Sequence, residues 1–297
     1  MTILVTGGTG ALGRDVVRQL LAASGDLPGS STTDDPSSPG HPSGTVHPAG
    51  AGQDSGASSP LATGDSTGVR VLSRRERRGG DPAAAGWAVG DLRTGAGLDQ
   101  ALDGADVIVH CASNPFRPKD DLTAARNLFA AAQRAGRDPH LIYVSIVGVD
   151  RVSYGYYGVK LDVERLIEQS GLPWTVLRAT QFHDLILMVA RALAKLPVIP
   201  APADSRFQPV DAAEVAERMA ELALGEPSGL VPDLAGPNIY TVAELVKSYL
   251  SAVGKRRPLV PVRIPGQAAR ALRAGANLAP DRAVGKRTWE EFLADHI

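Results

Sequence analysis

The sequence predicts an α/β protein built on a doubly wound parallel sheet, with a smaller and mostly helical C-terminal region. Short apolar runs alternate with amphipathic segments of helical period from the N-terminus to about residue 180. The apolar runs are nearly continuous, as expected for strands that helices cover on both faces. Strands and helices that alternate in this way indicate βαβ units, and 297 residues are enough to build one large sheet.

Six strands are predicted before residue 180. Each is a run of five to seven residues in which β-branched, leucine or aromatic side chains favour an extended backbone. The predicted strands cover residues 2–6, 69–73, 87–91, 105–111, 140–146 and 174–178.

Four helices are predicted between these strands, where apolar residues recur at spacings of three and four. In the first helix, Leu12, Val16, Val17 and Leu20 fall on one face. The four predicted helices cover residues 11–23, 98–102, 122–135 and 156–169.

Beyond residue 180 the pattern is less regular and mainly helical. Asp211 is placed to cap one helix, and Thr241 with Glu244 forms the spacing of a capping box. Helical segments are predicted at residues 211–224, 241–253, 266–276 and 289–294. We therefore divide the chain into a sheet domain at residues 1–180 and a substrate-binding region at residues 181–297, which we expect to close over the carboxyl edge of the sheet.

Residues 24–68 interrupt the alternation between the first helix and the second strand. This segment is rich in Ser, Gly, Pro, Thr and Asp and has almost no apolar content. Such a composition cannot bury enough surface to offset the entropy lost on ordering, and the segment is longer than an ordinary connection. We therefore predict a disordered insertion.

The composition narrows the functional classes. The formal net charge is −1, which argues against nucleic acid or an anionic membrane as a partner. A single cysteine, Cys111, excludes an intrachain disulfide and a cysteine-based zinc site, and we predict no metal centre. No apolar run is long enough for a membrane span, and the start of the chain has the features of a strand rather than of a signal peptide. These features predict a cytoplasmic protein that acts on a small molecule.

A glycine-rich loop joins the first predicted strand to the first helix. Gly7, Gly10 and Gly13 have the spacing G-x-x-G-x-x-G. The first glycine permits a tight turn, the second lets the backbone approach a pyrophosphate, and the third lets the helix pack closely on the strand. The N-terminus of the following helix also attracts phosphate. Because the loop follows a strand and opens an amphipathic helix, it predicts a Rossmann-type site for a nicotinamide dinucleotide.

The end of the second strand indicates which dinucleotide is bound. Sites for NAD(H) place an acidic residue there to bind the ribose 2′-hydroxyl, whereas NADP(H) sites use arginine to accommodate a 2′-phosphate. Here Ser73 is followed by Arg74 and Arg75, and a guanidinium can form two parallel hydrogen bonds with a phosphate. We therefore predict NADP(H) in preference to NAD(H).

Several motifs together resemble the short-chain dehydrogenase/reductase superfamily. They are the loop at residues 6–13, the turn at 90–92, the strand end at 143–145 and the helix start at 156–160. The closer resemblance is to the atypical branch that is NmrA-like and nucleotide-sugar-epimerase-like, and it extends over nearly the whole chain except residues 24–68. Residues 111–115, which follow the fourth strand, depart from the small polar loop usual in the family.

The resemblance implies specific roles. Asp91 would accept a hydrogen bond from the adenine amino group, and residues 111–113 would run past the cofactor ribose. Gln181, Phe182 and His183 would line the substrate end of the cleft. Together the motifs and the resemblance give this predicted cofactor site: Gly7, Thr9, Gly10, Ala11, Leu12, Gly13, Arg74, Arg75, Asp91, Leu92, Cys111, Ala112, Ser113 and Lys160.

Ser145, Tyr156 and Lys160 fall where active members of the family keep a catalytic Ser, Tyr and Lys. Tyrosine has an ordinary pKa near 10, and a nearby ammonium would lower the pKa of Tyr156 and favour proton transfer. Tyr156 and Lys160 are four residues apart on a predicted helix and therefore share a face. Tyr154 and Tyr157 are alternatives for the proton-transfer role.

Three functions fit these residues. One is an NADP(H)-dependent oxidoreductase acting on a small carbonyl, enone or quinone-like substrate. Another is a non-catalytic protein that senses NADP(H), as in some NmrA-like relatives. The third is a nucleotide-sugar epimerase or dehydratase, for which the region after residue 180 is small. The resemblance is also compatible with a homodimer.

Overall fold

The computed structural model describes residues 1–25, 68–114, 117–152 and 155–297. Most of the insertion predicted at residues 24–68 lies outside these ranges, as does Tyr154.

The first part of the chain alternates strands and helices as predicted. Its elements are β1 Ile3–Thr6, α1 Ala11–Ala23, β2 Val69–Ser73, β3 Gly86–Val89, α2 Leu98–Leu102, β4 Val107–His110, α3 Pro118–Ala135, β5 His140–Ile146, α4 Gly155–Gln169 and β6 Trp174–Ala179.

The remainder mixes helices with very short strands. Its elements are α5 His183–Leu193, β7 Ile199–Pro202, β8 Arg206–Phe207, α6 Ala212–Leu224, β9 Gly229–Leu230, β10 Tyr240–Thr241, α7 Val242–Ala252, β11 Leu259–Val262, α8 Gln267–Arg273, a 3₁₀ turn Pro280–Arg282 and α9 Trp289–His296. None of the helices in the described ranges is both long enough and apolar enough to cross a membrane.

Seven strands form a fully parallel sheet in the order β3-β2-β1-β4-β5-β6-β9. Val5 of β1 pairs with Val71 on one side and with Val109 on the other. The strand order reverses between β1 and β4, and such a switch point opens a crevice at the carboxyl ends of the strands. The predicted doubly wound α/β fold is therefore confirmed.

The six predicted strands are all present, but the seventh, β9, was not predicted. It has only two residues and pairs with Thr175 and Val176 of β6. Helix α6, which also follows residue 180, packs against α1 on one face of the sheet. The segment after residue 180 therefore completes the sheet and its helical cover as well as forming a separate third core.

Side chains alternate between two layers of core across the sheet. Ile3 and Val5 face the layer formed with α1 and α6, while Leu4 faces the layer formed with α2, α3 and α4. The third core packs α5, α7 and α9 together around Trp289, which is fully buried.

Two glycines allow the close approach on which the cofactor loop depends. Gly7 has a φ of +72°, and a Cβ there would lie 2.6 Å from the backbone nitrogen of Ala112. A Cβ on Gly13 would lie 2.1 Å from the carbonyl oxygen of Gly7. Any other residue at either position would push the first turn of α1 away from the strand ends.

We expect Gly13→Ala to lower the free energy of unfolding by about 1–3 kcal/mol, because backbone atoms would have to move to admit the methyl group. The matched control is Gly158→Ala in α4, where the added Cβ meets no atom within 4 Å. This control should stabilise the protein by about 0.5–1 kcal/mol, since alanine is the better helix former. Urea unfolding of both variants measures the difference, and equal effects would contradict the packing argument.

Candidate cofactor and active site

A cleft of about 630 Å³ opens at the switch point of the sheet. Four loops form most of its wall, and they follow β1, β2, β3 and β4. The predicted cofactor residues that line it are Gly7, Thr9, Gly10, Arg74, Arg75, Asp91, Leu92, Cys111, Ala112 and Ser113. The volume lies in the range of small-molecule and cofactor sites.

The N-terminus of α1 presents backbone to this cleft. Its N-cap is Gly10, which is exposed and offers no side-chain cap, and no acidic residue occurs in the first turn. The N–H groups of this turn are therefore open to an anion, and the helix dipole favours one. Ala11 is exposed here, whereas Leu12 points into the core and can contribute only its backbone.

The two arginines after β2 have different surroundings. Arg75 forms two hydrogen bonds with the carboxylate of Asp81, at 2.7 and 2.9 Å. The hydrogen bond from Arg75 lowers the pKa of Asp81 to about 2. Arg74 also lines the cleft, is exposed and forms no ion pair with any of the described residues. Arg74 is therefore the arginine whose guanidinium is available to a ligand phosphate.

Asp91 begins the turn after β3. Its Oδ1 accepts a hydrogen bond from the backbone N–H of Arg93 at 2.8 Å. The side chain of Asn127 on α3 holds the same turn by donating to the carbonyl oxygens of Leu92 and Arg93, at 2.8 and 3.0 Å. This part of the cleft wall is thus fixed to a core helix.

The loop after β4 is fastened by a carboxylate that the sequence analysis did not single out. Asp121, in the first turn of α3, is buried. Its Oδ2 accepts a hydrogen bond from Ser113 Oγ at 2.5 Å, and its Oδ1 accepts one from the backbone N–H of Asn114 at 2.9 Å. Ser113 Oγ also contacts the hydroxyl of Tyr156. This contact brings the predicted proton-transfer residue to the cleft wall.

Lys160 is almost fully buried below Tyr156. Its Nζ donates a hydrogen bond to the carbonyl oxygen of Val144 at 3.1 Å and lies 5.6 Å from the centroid of the Tyr156 ring. It lies 4.6 Å from the ring centroid of Tyr143, a cation–π distance. Burial opposes the charge on Lys160, but the phenols of Tyr143 and Tyr156 outweigh it and raise the pKa of the ammonium. The predicted shared face of Tyr156 and Lys160 is present.

A buried polar chain continues from Tyr143 toward the glycine loop. The ring of Tyr143 stacks on the ring of His110 with centroids 5.6 Å apart, and Nδ1 of His110 is hydrogen-bonded to Thr6 Oγ1 at 2.7 Å. Burial lowers the pKa of His110 to about 3 and raises the pKa of Tyr143 to about 12. It also raises the pKa of Cys111 to about 12, so this cleft-lining thiol stays protonated at neutral pH.

An ion pair positions the helix that carries Tyr156 and Lys160. Arg178 of β6 forms two hydrogen bonds with Glu164 of α4, at 3.0 and 2.6 Å, and both side chains are largely buried. Arg178 also donates to Asp150 at 3.1 Å, in the loop after β5. The pair therefore joins α4 to the sheet.

Ser145 lies near the end of β5, on the same side of the sheet as Tyr143 and α4. Its hydroxyl is buried and has no hydrogen-bond partner within the described residues. An unpaired buried hydroxyl is costly unless a ligand or water pairs with it. The structure thus places Ser145 on the side of the sheet that α4 covers, without joining it to the hydrogen bonds of Tyr156.

Gln181 and Tyr157 form a structural contact rather than an open surface. The Gln181 amide is buried, donates to the carbonyl oxygen of Asn277 at 3.3 Å and accepts from the N–H of Gln208 at 3.4 Å. The Tyr157 phenol is hydrogen-bonded to Gln181, and burial raises its pKa. Phe182 is partly buried against the core beside α1. Tyr157 is therefore less available for proton transfer than Tyr156.

His183 lies in a different place from the one expected. His183 was predicted to lie in a loop facing the substrate. In the structure it is the first residue of α5, and its side chain is fully buried. Its ring packs against Trp289 and Phe292, with centroids 5.9 and 4.9 Å away. A fully enclosed ring cannot contact a substrate, so His183 is part of the third core.

The fold, the phosphate-binding turn and the cleft define an NAD(P)-binding Rossmann protein with a reductase- or epimerase-like fold. A protein-family model described as NAD(P)H-binding matches residues 57–222, more than half of the chain. The chain therefore belongs to this NAD(P)H-binding family. The glycine loop precedes the matched segment, and its geometry is an independent observation.

Individual relatives are distant. The chain is 27% identical over 265 residues to a (4-alkanoyl-5-oxo-2,5-dihydrofuran-3-yl)methyl phosphate reductase of Streptomyces griseus, covering 86% of this chain and 75% of the relative. The structure resembles the NADPH-dependent quinone oxidoreductase of Escherichia coli complexed with NADPH, at a TM-score of 0.71 and 18% identity over 99% of both chains. It equally resembles a nucleoside-diphosphate-sugar epimerase of Staphylococcus aureus, at a TM-score of 0.70 and 17% identity over 99% of both chains. The structural likenesses establish the fold alone.

The burial of His183 predicts a pH dependence of stability. Its pKa is lowered, chiefly by burial, from 6.5 to about 4. Between these values the unfolded chain binds a proton that the folded chain does not, so acid favours unfolding. The free energy of unfolding should fall as the pH drops from about 6.5 to 4, with His183 contributing on the order of 3 kcal/mol.

Urea unfolding at a series of pH values measures this slope in the wild type and in His183→Phe. The variant should have the shallower slope, while His110 contributes in the same direction in both proteins. An identical slope in His183→Phe would refute the assignment.

Proposed function

We propose that this protein is an NADP(H)-dependent oxidoreductase that reduces a small carbonyl, enone or quinone-like compound. The observation that carries the proposal is the position of Tyr156. Its hydroxyl contacts Ser113 at the wall of the dinucleotide cleft, and its ring lies beside the buried ammonium of Lys160. A phenol held next to a cation at a cofactor cleft is suited to donate a proton during reduction.

The preference for NADP(H) over NAD(H) rests on Arg74. It is an exposed cation at the end of β2, whereas the guanidinium of Arg75 is bound to Asp81. An arginine at this position can pair with a ribose 2′-phosphate. The glycine loop together with Ser145, Tyr156 and Lys160 supports placing the protein in the NmrA-like branch of the short-chain dehydrogenase/reductase superfamily, and the single cysteine supports a cytoplasmic location.

The residues of the chain divide the chemical work. When bound, the nicotinamide supplies the hydride. Tyr156 holds the proton at its phenol oxygen, and Lys160, fixed by the Val144 carbonyl, holds a positive charge beneath the ring. Ser113 keeps the phenol directed toward the cleft wall. The first turn of α1 binds the pyrophosphate through backbone N–H groups.

The substrate class is supported by the chemistry of the Streptomyces griseus relative. The substrate in the name of that reductase is a 5-oxo-2,5-dihydrofuran with a 4-alkanoyl group, so the ring double bond is conjugated with carbonyl groups. Hydride addition to such a system needs one proton to complete the reduction. A single phenol at the cleft fits that requirement.

Replacement of Arg74 tests the cofactor assignment. We expect Arg74→Ala to raise the Kd for NADPH about 10- to 100-fold, the loss of charge-assisted hydrogen bonds to one phosphate, and to leave the Kd for NADH within about twofold. Fluorescence titration with both nucleotides measures this. The control is Arg165→Ala, an exposed arginine of α4 that pairs with Asp162. Equal losses for NADPH and NADH would refute the role of Arg74.

Replacement of Tyr156 tests the reaction. With NADPH and a panel of 1,4-naphthoquinone, 2-cyclohexen-1-one and simple aldehydes, we expect Tyr156→Phe to lower kcat/KM about 10²- to 10⁴-fold and to keep NADPH binding. The control is Tyr157→Phe, whose phenol bonds to Gln181 and which should keep most of the activity. NADPH binding without oxidation over the whole panel would contradict the proposal and favour a protein that only senses the cofactor.

A further inference from the structure

We propose that Ser113 and Asp121 form a proton relay that serves the hydroxyl of Tyr156, an inference that rests on the proposed oxidoreductase function. The relay would run from the phenol to Ser113 Oγ and on to the carboxylate of Asp121. Neither residue belongs to the predicted Ser145, Tyr156 and Lys160 set. Asp121 was not predicted to have any role, and Ser113 was predicted only to border the cofactor.

The geometry makes the three groups a continuous chain. Ser113 Oγ lies 2.5 Å from Asp121 Oδ2 and is also in contact with the Tyr156 hydroxyl. The other carboxylate oxygen accepts from the N–H of Asn114 at 2.9 Å, which fixes the orientation of the carboxylate. Asp121 is 6% exposed but lines the cleft, so solvent in the cleft can exchange protons with it.

The hydroxyl protons of Ser113 and Tyr156 determine which group donates in each hydrogen bond of the relay. A carboxylate can only accept a hydrogen bond, so the single proton of Ser113 lies on its bond to Asp121. Ser113 Oγ then has only lone pairs to offer Tyr156, and the phenol must be the donor in that contact. In the resting protein each O–H therefore points from Tyr156 toward Asp121, and the Ser113 hydroxyl must rotate toward the phenolate before it can return a proton to Tyr156. A carboxylate at the far end of such a chain polarises both hydrogen bonds.

The relay ends in a negative charge, and Lys160 on the neighbouring helix carries a positive one. The ammonium of Lys160 lies beside the ring of Tyr156, and Ser113 with Asp121 lies at its hydroxyl. Lys160 has no carboxylate within ion-pair distance among the described residues, and the negative charge of Asp121 acts on it at longer range. The phenol therefore has a buried cation near its ring and, through Ser113, a buried anion near its hydroxyl.

The proposed step balances one proton against each hydride. In the reducing direction the O–H bond of Tyr156 breaks and its proton bonds to the reduced substrate. The proton of Ser113 then moves to the phenolate oxygen and restores Tyr156. The Asp121 carboxylate takes up one proton from hydronium in the cleft solvent and passes it to Ser113, so each turnover consumes one solvent proton and leaves Asp121 as a carboxylate again. The hydride and its two electrons come from NADPH.

The hydrogen-bond chain can be tested without any substrate. The full-length protein is labelled with ¹³Cζ-tyrosine, and the Tyr156 resonance is identified by its loss in Tyr156→Phe. We expect this resonance to move to lower chemical shift in Ser113→Ala, because the phenol loses its acceptor, and to move the same way in Asp121→Asn. Ser113→Thr, which keeps the hydroxyl, should restore the wild-type position. An unchanged resonance in Ser113→Ala would overturn the proposal.

Kinetics test the relay with NADPH and 1,4-naphthoquinone under multiple-turnover conditions, because the first reduction uses the proton already on Tyr156 and only later reductions need the relay. We expect Ser113→Ala and Asp121→Asn each to lower the rate about 10- to 100-fold, with the Kd for NADPH and the KM for the quinone within about twofold. The double variant should be no slower than either single variant, because the groups act as a unit. The solvent deuterium dependence of the rate should be curved in the wild type and linear in Ser113→Ala, since fewer protons then move.

A neighbouring carboxylate supplies the control. Asp120→Asn removes a charge one residue away from Asp121, but Asp120 pairs with Arg93 at 3.4 Å and not with Ser113. It should keep the wild-type rate and isotope dependence. Turnover that requires Tyr156 but is unaffected in Ser113→Ala and Asp121→Asn would overturn the relay and leave the oxidoreductase intact. A shifted Tyr156 resonance without any turnover in the wild type would instead refute the oxidoreductase, and the relay step with it.

Discussion

The cofactor cleft depends on the contact between the first turn of α1 and the backbone that leaves β1. Gly13 lies so close to the carbonyl of Gly7 that a Cβ would overlap it, and a Cβ on Gly7 would lie 2.6 Å from the backbone nitrogen of Ala112. These two approaches hold the N-terminus of α1, the end of β1 and the loop after β4 together. The loop after β4 also carries Ser113, which contacts the hydroxyl of Tyr156. The same contact that shapes the candidate phosphate site therefore also positions Ser113 beside Tyr156.

The second constraint is the buried charge of Lys160. Moving an ammonium out of water is costly unless hydrogen bonds and nearby charge compensate for it. Here the Val144 carbonyl, the ring of Tyr143 and the phenol of Tyr156 supply that compensation. The Glu164–Arg178 pair then holds α4 in register with the sheet, so that the charge stays beneath Tyr156. Stability and the candidate chemistry therefore rest on the same side chains.

The features of the fold that depend on local interactions could be predicted from the sequence. The glycine spacing, the apolar strands and the capping residues Asp211 and Thr241 act over a few residues, and the structure contains them as predicted. Prediction failed where a partner is distant in sequence. His183 is buried by Trp289 and Phe292, more than a hundred residues later, and no local signal distinguishes it from a loop histidine. Strand β9 was missed because two residues carry no period.

The candidate site shows the same limit at finer scale. Arg74 and Arg75 are equivalent in sequence, and only the bond from Arg75 to Asp81 separates a structural arginine from an available one. Asp121 is one of two adjacent aspartates at the start of α3, and the sequence does not indicate that one faces Ser113 while the other faces Arg93.

These asymmetries bear on what the cleft is for. A protein that only held the dinucleotide would need the glycine turn, the arginine and a lysine near the ribose. It would not need a phenol with a buried cation near its ring and a buried carboxylate near its hydroxyl, because burying two such charges costs stability without adding contacts to the nucleotide. That arrangement has a physical purpose if a proton leaves and returns at Tyr156, and this is the strongest structural argument for catalysis over sensing.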